Sequence, residues 1–256
     1  MKIATWNVNS IRARLERFLA WLQTAQPDIV CLQELKVTDA AFPGDAIRAA
    51  GYHAAVHGQK TYNGVAILSR VEPAGVRRGM GDGVDDPQAR FLAAQISGIH
   101  VVSAYVPNGQ VVGSEPYAYK LAWLRRLRAF LETHFSPAMP VVVCGDFNVA
   151  RTERDVTNPA AWAETVLFHP DGRAALEQVL QWGLVDVVRE HHPADLLLSW
   201  WDYRMLAFPK NDGLRLDYIF ATPPLAGRST SGEIDRQERK GEKPSDHAPV
   251  ITVFDV

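Results

Sequence analysis

Polar side chains of the kinds that bind cations and activate water stand at the ends of five strand-like apolar runs in this chain. They are Asn7, Glu34, Asp146, Asn148, Asp217, Asp246 and His247. Moving a carboxylate out of water costs several kcal/mol unless a partner compensates, so several carboxylates converging at strand ends indicate a site rather than a purely structural role.

The residue types at these strand ends favour a particular kind of cation. Carboxylates and amides, with one histidine and no cysteine–histidine cluster, suit a hard cation that prefers oxygen ligands, such as Mg²⁺ or Mn²⁺. The sequence therefore predicts chemistry on a phosphate group.

Composition limits the class of protein. The chain has 256 residues, of which 47% are hydrophobic and 22% charged, and its formal net charge of −2 requires any polyanion to be met by a local basic patch. We find no signal peptide and no apolar run of the roughly 20 residues that span a bilayer, so we expect a cytoplasmic protein without membrane contact. Cys31 and Cys144 lie in apolar runs and are expected to be reduced and buried.

Periodicity predicts the elements that must position the polar residues. Helices are expected over residues 10 to 24, with Ser10 as N-cap, over about 115 to 134, and over Ala174 to Trp182. Short strands, with a hairpin at Ser97-Gly98, make the stretch from 51 to 106 mostly antiparallel. We predict an α/β fold, a four-layer sandwich of two packed, mainly antiparallel sheets flanked by helices, rather than a doubly wound sheet.

One domain, residues 1–256, is expected, because the polar motif residues run from 7 to 247 and no linker or repeat divides the chain. Neither a glycine-rich dinucleotide loop nor a phosphate-binding P-loop is present. Nucleotide-binding folds built on those loops are therefore not favoured.

Seven segments in one order along the chain resemble the exonuclease III family of DNA repair nucleases, within the endonuclease/exonuclease/phosphatase superfamily. They are Trp6–Ala13, Leu32–Lys36, His57–Ala66, Gly145–Asn148, Ser199–Arg204, Gly213–Asp217 and Lys243–Val250. Each segment alone is a weak signal, but the order and the coverage of the whole chain make the resemblance specific. It implies a deoxyribonuclease I-like fold.

The resemblance also implies a metal site. Glu34 corresponds to the principal ligand, with Asn7 and Asp246 nearby, and the ion is expected to be Mg²⁺, with Mn²⁺ as a substitute. A second metal held by Asp146, Asn148 and His247 is left open.

Catalytic roles follow from the same resemblance. Asp146 is assigned to the attacking water and Asn148 to orientation and transition-state stabilisation, as phosphodiester hydrolysis requires. Asp217 is expected to hold His247 protonated, so that the imidazolium donates to the scissile phosphate. Tyr105 resembles the family tyrosine that contacts the phosphate or the leaving group.

Contacts to DNA are predicted at five residues. Trp200 resembles the aromatic residue that packs against an extrahelical abasic sugar. The others are Lys60, Arg90, Asn108 and Arg215. The loop at about 151 to 172 is the least similar to the family, and bulky residues there, Leu167 and Phe168, are expected to affect access to the pocket.

The expected function is a Mg²⁺-dependent DNA repair nuclease that cuts the phosphodiester 5′ to abasic sites in duplex DNA. Trimming and cleaning of 3′ ends (exonuclease, phosphatase and phosphodiesterase activity) are expected as well, by a protein that acts as a monomer on DNA with abasic sites or blocked 3′ ends. Alternatives are a 3′-end processor without abasic endonuclease activity, a phosphoesterase for inositol phosphates or sphingomyelin, and a non-catalytic nucleic-acid-binding relative.

Overall fold

Two six-stranded sheets form the centre of the molecule in a computed structural model that describes residues 1–256. The first sheet contains β1 (Lys2–Asn7), β2 (Ile29–Gln33), β3 (His53–His57), β4 (Val65–Ser69), β11 (Ser229–Ile234) and β12 (Val250–Phe254), in the order β11-β12-β1-β2-β4-β3. The second contains β5 (Ala74–Arg78), β6 (Phe91–Ile96), β7 (Ile99–Tyr105), β8 (Val141–Asp146), β9 (Val185–Asp186) and β10 (Asp217–Ala221), in the order β5-β6-β7-β8-β10-β9.

Eight helices connect or flank the strands. They are α1 (Leu15–Ala25), α2 (Gly44–Ala49), α3 (Glu115–His134), α4 (Pro159–Trp162), α5 (Pro170–Leu180), α6 (Val187–His191), α7 (Ala207–Lys210) and α8 (Pro223–Ala226). Only the β1–β2 and β7–β8 pairs are parallel. The predicted fold, two packed and mainly antiparallel sheets with helices outside, is confirmed.

Alternation along the strands divides the core into layers. Within β8, Val142 and Cys144 belong to the apolar cluster between the sheets, whereas Val141 and Val143 face α3 and α5 in a second cluster. A third cluster packs α1 on the outer face of the first sheet, with Trp6 at its centre. The period of two in side-chain direction therefore decides which strand residues enter the space between the sheets.

Several element boundaries differ from the sequence-based prediction. The first helix begins at Leu15 and not at Ser10, because Ser10 has a positive φ of 87° and its backbone N–H bonds to Glu34 across the strand ends. Helix α5 begins at Pro170, earlier than predicted, because the His169 side chain caps it. The helix predicted over about 115 to 134 and the hairpin at Ser97-Gly98 are present, and both cysteines are buried and free.

Candidate active site

The ends of five strands converge at one end of the space between the sheets. Asn7, Gln33, Tyr105, Asp146 and Asp217 each fall in the alternation that points into this space. Tyr105 and Asp217 are both paired in register with Asp146, and Asn7 is paired with Gln33. Convergence of the predicted polar residues is thus a consequence of strand register.

The turn after β8 arranges Asp146 and Asn148 around each other. The Asn148 backbone N–H donates to Asp146 Oδ1 at 2.9 Å, and the Asn148 amide donates to the Val106 carbonyl at 2.9 Å. Asn148 adopts a φ of 50°, a left-handed conformation that asparagine tolerates better than most residues. Asn148 Oδ1 accepts a hydrogen bond from Asn108 Nδ2 at 3.3 Å. Three of the predicted residues therefore form one connected group.

His247 is held between two buried carboxylates. Its Nδ1 lies 2.8 Å from Asp217 Oδ2, and its Nε2 lies 3.7 Å from Asp146 Oδ2. The Ser199 hydroxyl donates to the same Asp217 oxygen at 2.6 Å and accepts the backbone N–H groups of Leu216 and Asp217. Ser199 therefore fixes the carboxylate that orients the imidazole.

The charges in this group shift the titration of both partners. Burial alone would lower the pKa of His247, but the Asp217 and Asp146 carboxylates outweigh it and raise the pKa to about 10. Burial raises the pKa of Asp146 to about 7, although His247 acts in the opposite direction. His247 is therefore an imidazolium at neutral pH, and Asp146 can take up or release a proton there.

Glu34 lies where a metal ion could bind. It forms a cluster with Asp146 and His247, whose potential ligand atoms all lie within 4.8 Å of one another. Burial acts to raise the pKa of Glu34, but the Lys36 ammonium, 2.9 Å from its Oε2, and the Asn7 amide outweigh it, so the pKa is below its ordinary value. An ionised carboxylate in this position fits a hard cation, whereas a protonated His247 has no lone pair to offer.

The other predicted metal residues are oriented differently. The Asn7 amide donates to Glu34 Oε1 and to Asp146 Oδ2, both at 2.9 Å, while its oxygen accepts the Asn9 backbone N–H. Asp246 is not part of the cluster: its two oxygens accept hydrogen bonds from the Asn9 amide and the Trp200 indole. Asn7 therefore holds the two site carboxylates together, and Asp246 connects the site to Trp200.

Tyr105 and Arg90 form one side of the site. The Tyr105 hydroxyl donates to Glu34 Oε1 at 2.9 Å, and burial together with the charge of Glu34 raises the pKa of this phenol well above its ordinary value. The Arg90 guanidinium lies over the Tyr105 ring, 4.5 Å from its centroid. Asn108 is exposed beside them and Lys60 is exposed on the loop that precedes β4, so each is accessible to a substrate.

The prediction that Arg215 contacts DNA is wrong. Its side chain is only 1% exposed, and its guanidinium contacts Asp155 at 2.8 Å and Asp186 at 2.6 Å. Arg189 also contacts Asp155, and Arg151 also contacts Asp186. Moving Arg215 out of the interior would therefore break up a buried ion-pair network, which is unfavourable. Arg215 instead joins the loop after β8 to the end of β9.

The sequence drew attention to bulky residues of the loop at about 151 to 172 but did not single out Trp162, which contacts Trp200. Leu167 and Phe168 are buried in an apolar cluster with Leu214 and Leu216, and Trp162 and Trp200 pack against this cluster. Trp162, at the end of α4, meets Trp200 edge to face at a centroid distance of 6.0 Å. Trp200 is half-buried and its backbone forms an isolated β-bridge with His247, so Trp200 lies between Trp162 and the strand end that carries His247.

Sequence reasoning missed Ser199, Lys36, Asn9, Trp162 and Lys120 as parts of the site. Ser199 is next to Trp200, and Lys36 is two positions after Glu34, both inside the motif segments, a signal that could have found them. Lys120 lies in the middle of an ordinary amphipathic helix, and nothing in the local pattern distinguishes it.

Comparison with known proteins agrees with this geometry. Residues 4–247 match the model of the Endonuclease/Exonuclease/phosphatase family. The chain is 35% identical to "Exodeoxyribonuclease III" of Haemophilus influenzae over 99% of this chain and all of that protein. It is similar to an AP endonuclease from Archaeoglobus fulgidus (TM-score 0.98, 44% identity) and to the 3′ phosphatase NExo from Neisseria bound to a product DNA hairpin (TM-score 0.96, 39% identity), each over the full length of both chains.

A buried carboxylate–imidazole–carboxylate group beside an acidic cation site, at the mouth of a two-sheet sandwich, defines a hydrolase for phosphate esters. The chain belongs to the endonuclease/exonuclease/phosphatase family and, within it, to the exonuclease III and AP endonuclease group of hydrolytic nucleases. None of its helices is both long and apolar enough to cross a bilayer.

Proposed function

We propose that this protein is a Mg²⁺-dependent DNA repair nuclease that cuts 5′ to abasic sites in duplex DNA and also trims and cleans 3′ ends. The observation that carries the proposal is the pairing of an imidazolium, His247, with a carboxylate of raised pKa, Asp146, beside the Glu34 cation site. A protonated imidazole beside a carboxylate that can take up a proton near neutral pH suits hydrolysis by water.

Each residue then has a distinct task. Asp146 accepts the proton of the attacking water, while His247 Nε2 donates to a non-bridging phosphate oxygen and Asp217 keeps the ring oriented. The amides of Asn148 and Asn108 orient the water and the phosphate. A Mg²⁺ or Mn²⁺ ion held by Glu34, with Asp146 nearby, would supply positive charge to the phosphate oxygens.

DNA is the substrate we favour within the family. The Neisseria relative is described as bound to a product DNA hairpin and the Archaeoglobus relative as an AP endonuclease. Arg90 lies over Tyr105 and Asn108 bonds to Asn148, so both border the site with groups that suit a phosphate backbone. Lys60 is an exposed cation on the loop before β4. Trp200, with its indole N–H fixed by Asp246, offers an apolar face beside His247 for an unstacked sugar.

The first experiment is incision of a 5′-labelled duplex with one abasic-site analogue, in Mg²⁺ and in EDTA. Asp146→Asn should lower turnover by ~10²-fold or more, because it removes the proton acceptor used in the transition state. Asp195→Asn, the same change at a side chain that is 62% exposed, is the matched control and should leave turnover unchanged. Equal activity of wild type and Asp146→Asn would rule out the assigned role.

A second candidate function is 3′-end processing without abasic incision. The observation that favours it is the edge of Trp162 against Trp200, which occupies space that a flipped sugar would need. The same labelled duplex distinguishes the two, since a pure 3′-end processor shortens or dephosphorylates the 3′ end and leaves the analogue uncut.

Trp162→Ala makes this comparison sharper. If Trp162 restricts entry, the variant should gain abasic incision by about 10-fold relative to its 3′ trimming, since the space of one large side chain decides access. Trp182→Ala removes a side chain of the same type from the apolar cluster that includes residues of α5, and it controls for loss of packing. A fall in abasic incision with unchanged trimming would instead mean that Trp162 supports the sugar.

A further inference from the structure

The only lysine in the fully buried core lies in α3 and has no carboxylate partner. Lys120 is 0% exposed and forms no ion pair. Its ammonium donates to three backbone carbonyls, those of Asn108 at 3.0 Å, Asn148 at 2.7 Å and Val166 at 2.6 Å. Burial disfavours the charged form and lowers the pKa of Lys120 to about 7. In the protonated form all three hydrogens of the ammonium are used on main-chain oxygens.

The three carbonyls belong to three different connections. Asn108 follows β7, Asn148 follows β8, and Val166 lies between α4 and α5. The first two residues carry the amides that bond to each other at 3.3 Å beside Asp146. The third lies four residues beyond Trp162, which contacts Trp200. One side chain thus bonds to three separate connections, two of which carry residues of the site.

The surroundings of Lys120 are built to accept it. Gly109 has a φ of 94°, and a Cβ there would lie 3.0 Å from Lys120 Cδ. The helix that carries Lys120 is fixed independently, because Leu124, Leu127 and Leu131 pack in the apolar cluster outside the second sheet. Its N-cap, Ser114, also bonds to the Gly109 carbonyl at 3.3 Å. Lys120 is therefore held in place by its helix, and the three connections are bonded to it.

We propose that Lys120 is a positioning residue that fixes the Asn108–Asn148 amide pair against Asp146 and ties it to the segment carrying Trp162. It does not touch the substrate, and the proposal rests on the proposed function, in which these amides act on the phosphate. Loss of the three bonds would let each carbonyl move, and a misplacement on the order of 1 Å costs ~10²-fold in rate.

Lys120→Met tests this, because methionine keeps the volume and removes the charge and the donors. Incision assayed well below the Tm of the variant should show kcat lowered by about 10- to 100-fold with KM within about threefold of wild type. Leu127→Ala, on the same helix and equally buried, is the control, which should lose stability with kcat nearly unchanged. Lys120→Gln, which keeps two donors, should recover part of kcat.

Hydrogen exchange provides a readout that does not need activity. Peptides covering 106–112, 147–152 and 163–168 should all exchange faster in Lys120→Met than in wild type, and not in Leu127→Ala. Unchanged exchange in all three peptides, or a kcat loss no larger than that of Leu127→Ala, would overturn the proposal. Failure of the proposed function would be recognised differently. The wild-type protein would not cut DNA, but the three peptides would still exchange faster in Lys120→Met than in wild type. If Lys120→Met does not fold, the same measurements on Lys120→Gln decide.

Discussion

Asp146 and His247 each control the protonation of the other. The imidazolium lies 3.7 Å from Asp146 and bonds to Asp217, so its proton is retained well above neutrality. Asp146 is surrounded by Asp217 and Glu34 in the interior, which favours its neutral form.

These directions predict the pH dependence of turnover. The rate should rise through about pH 7, where Asp146 loses its proton, and fall above about pH 10, where His247 loses its own. Each limb of the profile should approach a tenfold change in rate per pH unit, which is the slope expected when a single proton is essential. Higher Mg²⁺ concentration should move the acidic limb to lower pH, since a nearby cation favours the carboxylate.

A pH–rate profile at two Mg²⁺ concentrations checks this expectation. His247→Gln should be slow at every pH and should lack the alkaline limb. An alkaline limb that persists in His247→Gln would show that another group carries the proton there.

At the scale of elements, strand register brings the reactive groups together. Tyr105, Asp146 and Asp217 lie side by side across β7, β8 and β10. Close approach of β7 and β8 depends on Gly145, which has a φ of 147° and whose missing Cβ would lie 1.8 Å from the Ala104 carbonyl oxygen. The pairing of β8 with β7, which positions Asp146, therefore requires a glycine at position 145 as well as the apolar residues of the strand.

Gly145→Ala should lower the free energy of unfolding by about 3 kcal/mol or more, because the new methyl group collides with backbone that cannot move aside. Gly98→Ala is the control: its φ is 83° but nothing lies within 4 Å of the added carbon, so only conformational strain of about 1 kcal/mol is expected. Urea unfolding of both variants measures the two effects. Similar losses at the two positions would contradict the steric explanation.

At the scale of the molecule, both ends of the chain build one site. Strand β1 lies between β2 and β12, and the N-terminus bonds to the Phe254 carbonyl. Asn7 comes from the first strand and His247 precedes the last. The residues of the candidate cation cluster, Glu34, Asp146 and His247, come from both sheets, so a bound ion would stabilise the packing of one sheet on the other.

Divalent cations should therefore stabilise the whole fold. At a Mg²⁺ concentration of about 100 times its Kd, the free energy of unfolding should increase by about 2.7 kcal/mol, which corresponds to roughly 5 to 10 °C in Tm for a protein of this size. The predicted single domain should unfold in one transition that shifts as a unit. Glu34→Gln should lose the shift, and Glu132→Gln, an exposed glutamate in α3, should keep it. Calorimetry with and without EDTA measures this, and a shift retained in Glu34→Gln would place the ion elsewhere.

Much of this protein could be predicted from its sequence. Alternating apolar residues indicated the strands and the layers between which they pack, and the polar residues at the strand ends indicated where a site would form. These features are local, because burial imposes its period of two on each strand separately. The order of the motif segments predicted the family, and the comparison with known proteins confirmed that family.

Only the tertiary structure decided which partner each charged group has. Arg215 lies in a motif segment, and the sequence predicted that it contacts DNA. In the structure its guanidinium is buried and forms an ion pair with Asp186, 29 positions earlier in the chain. The local pattern gives no reason to distinguish Lys120 from other basic residues on a helix. In the structure it donates to three carbonyls from three connections. Residue type and local spacing determine that a charge needs a partner, whereas the partner itself depends on contacts between distant segments that exist only once the chain has folded.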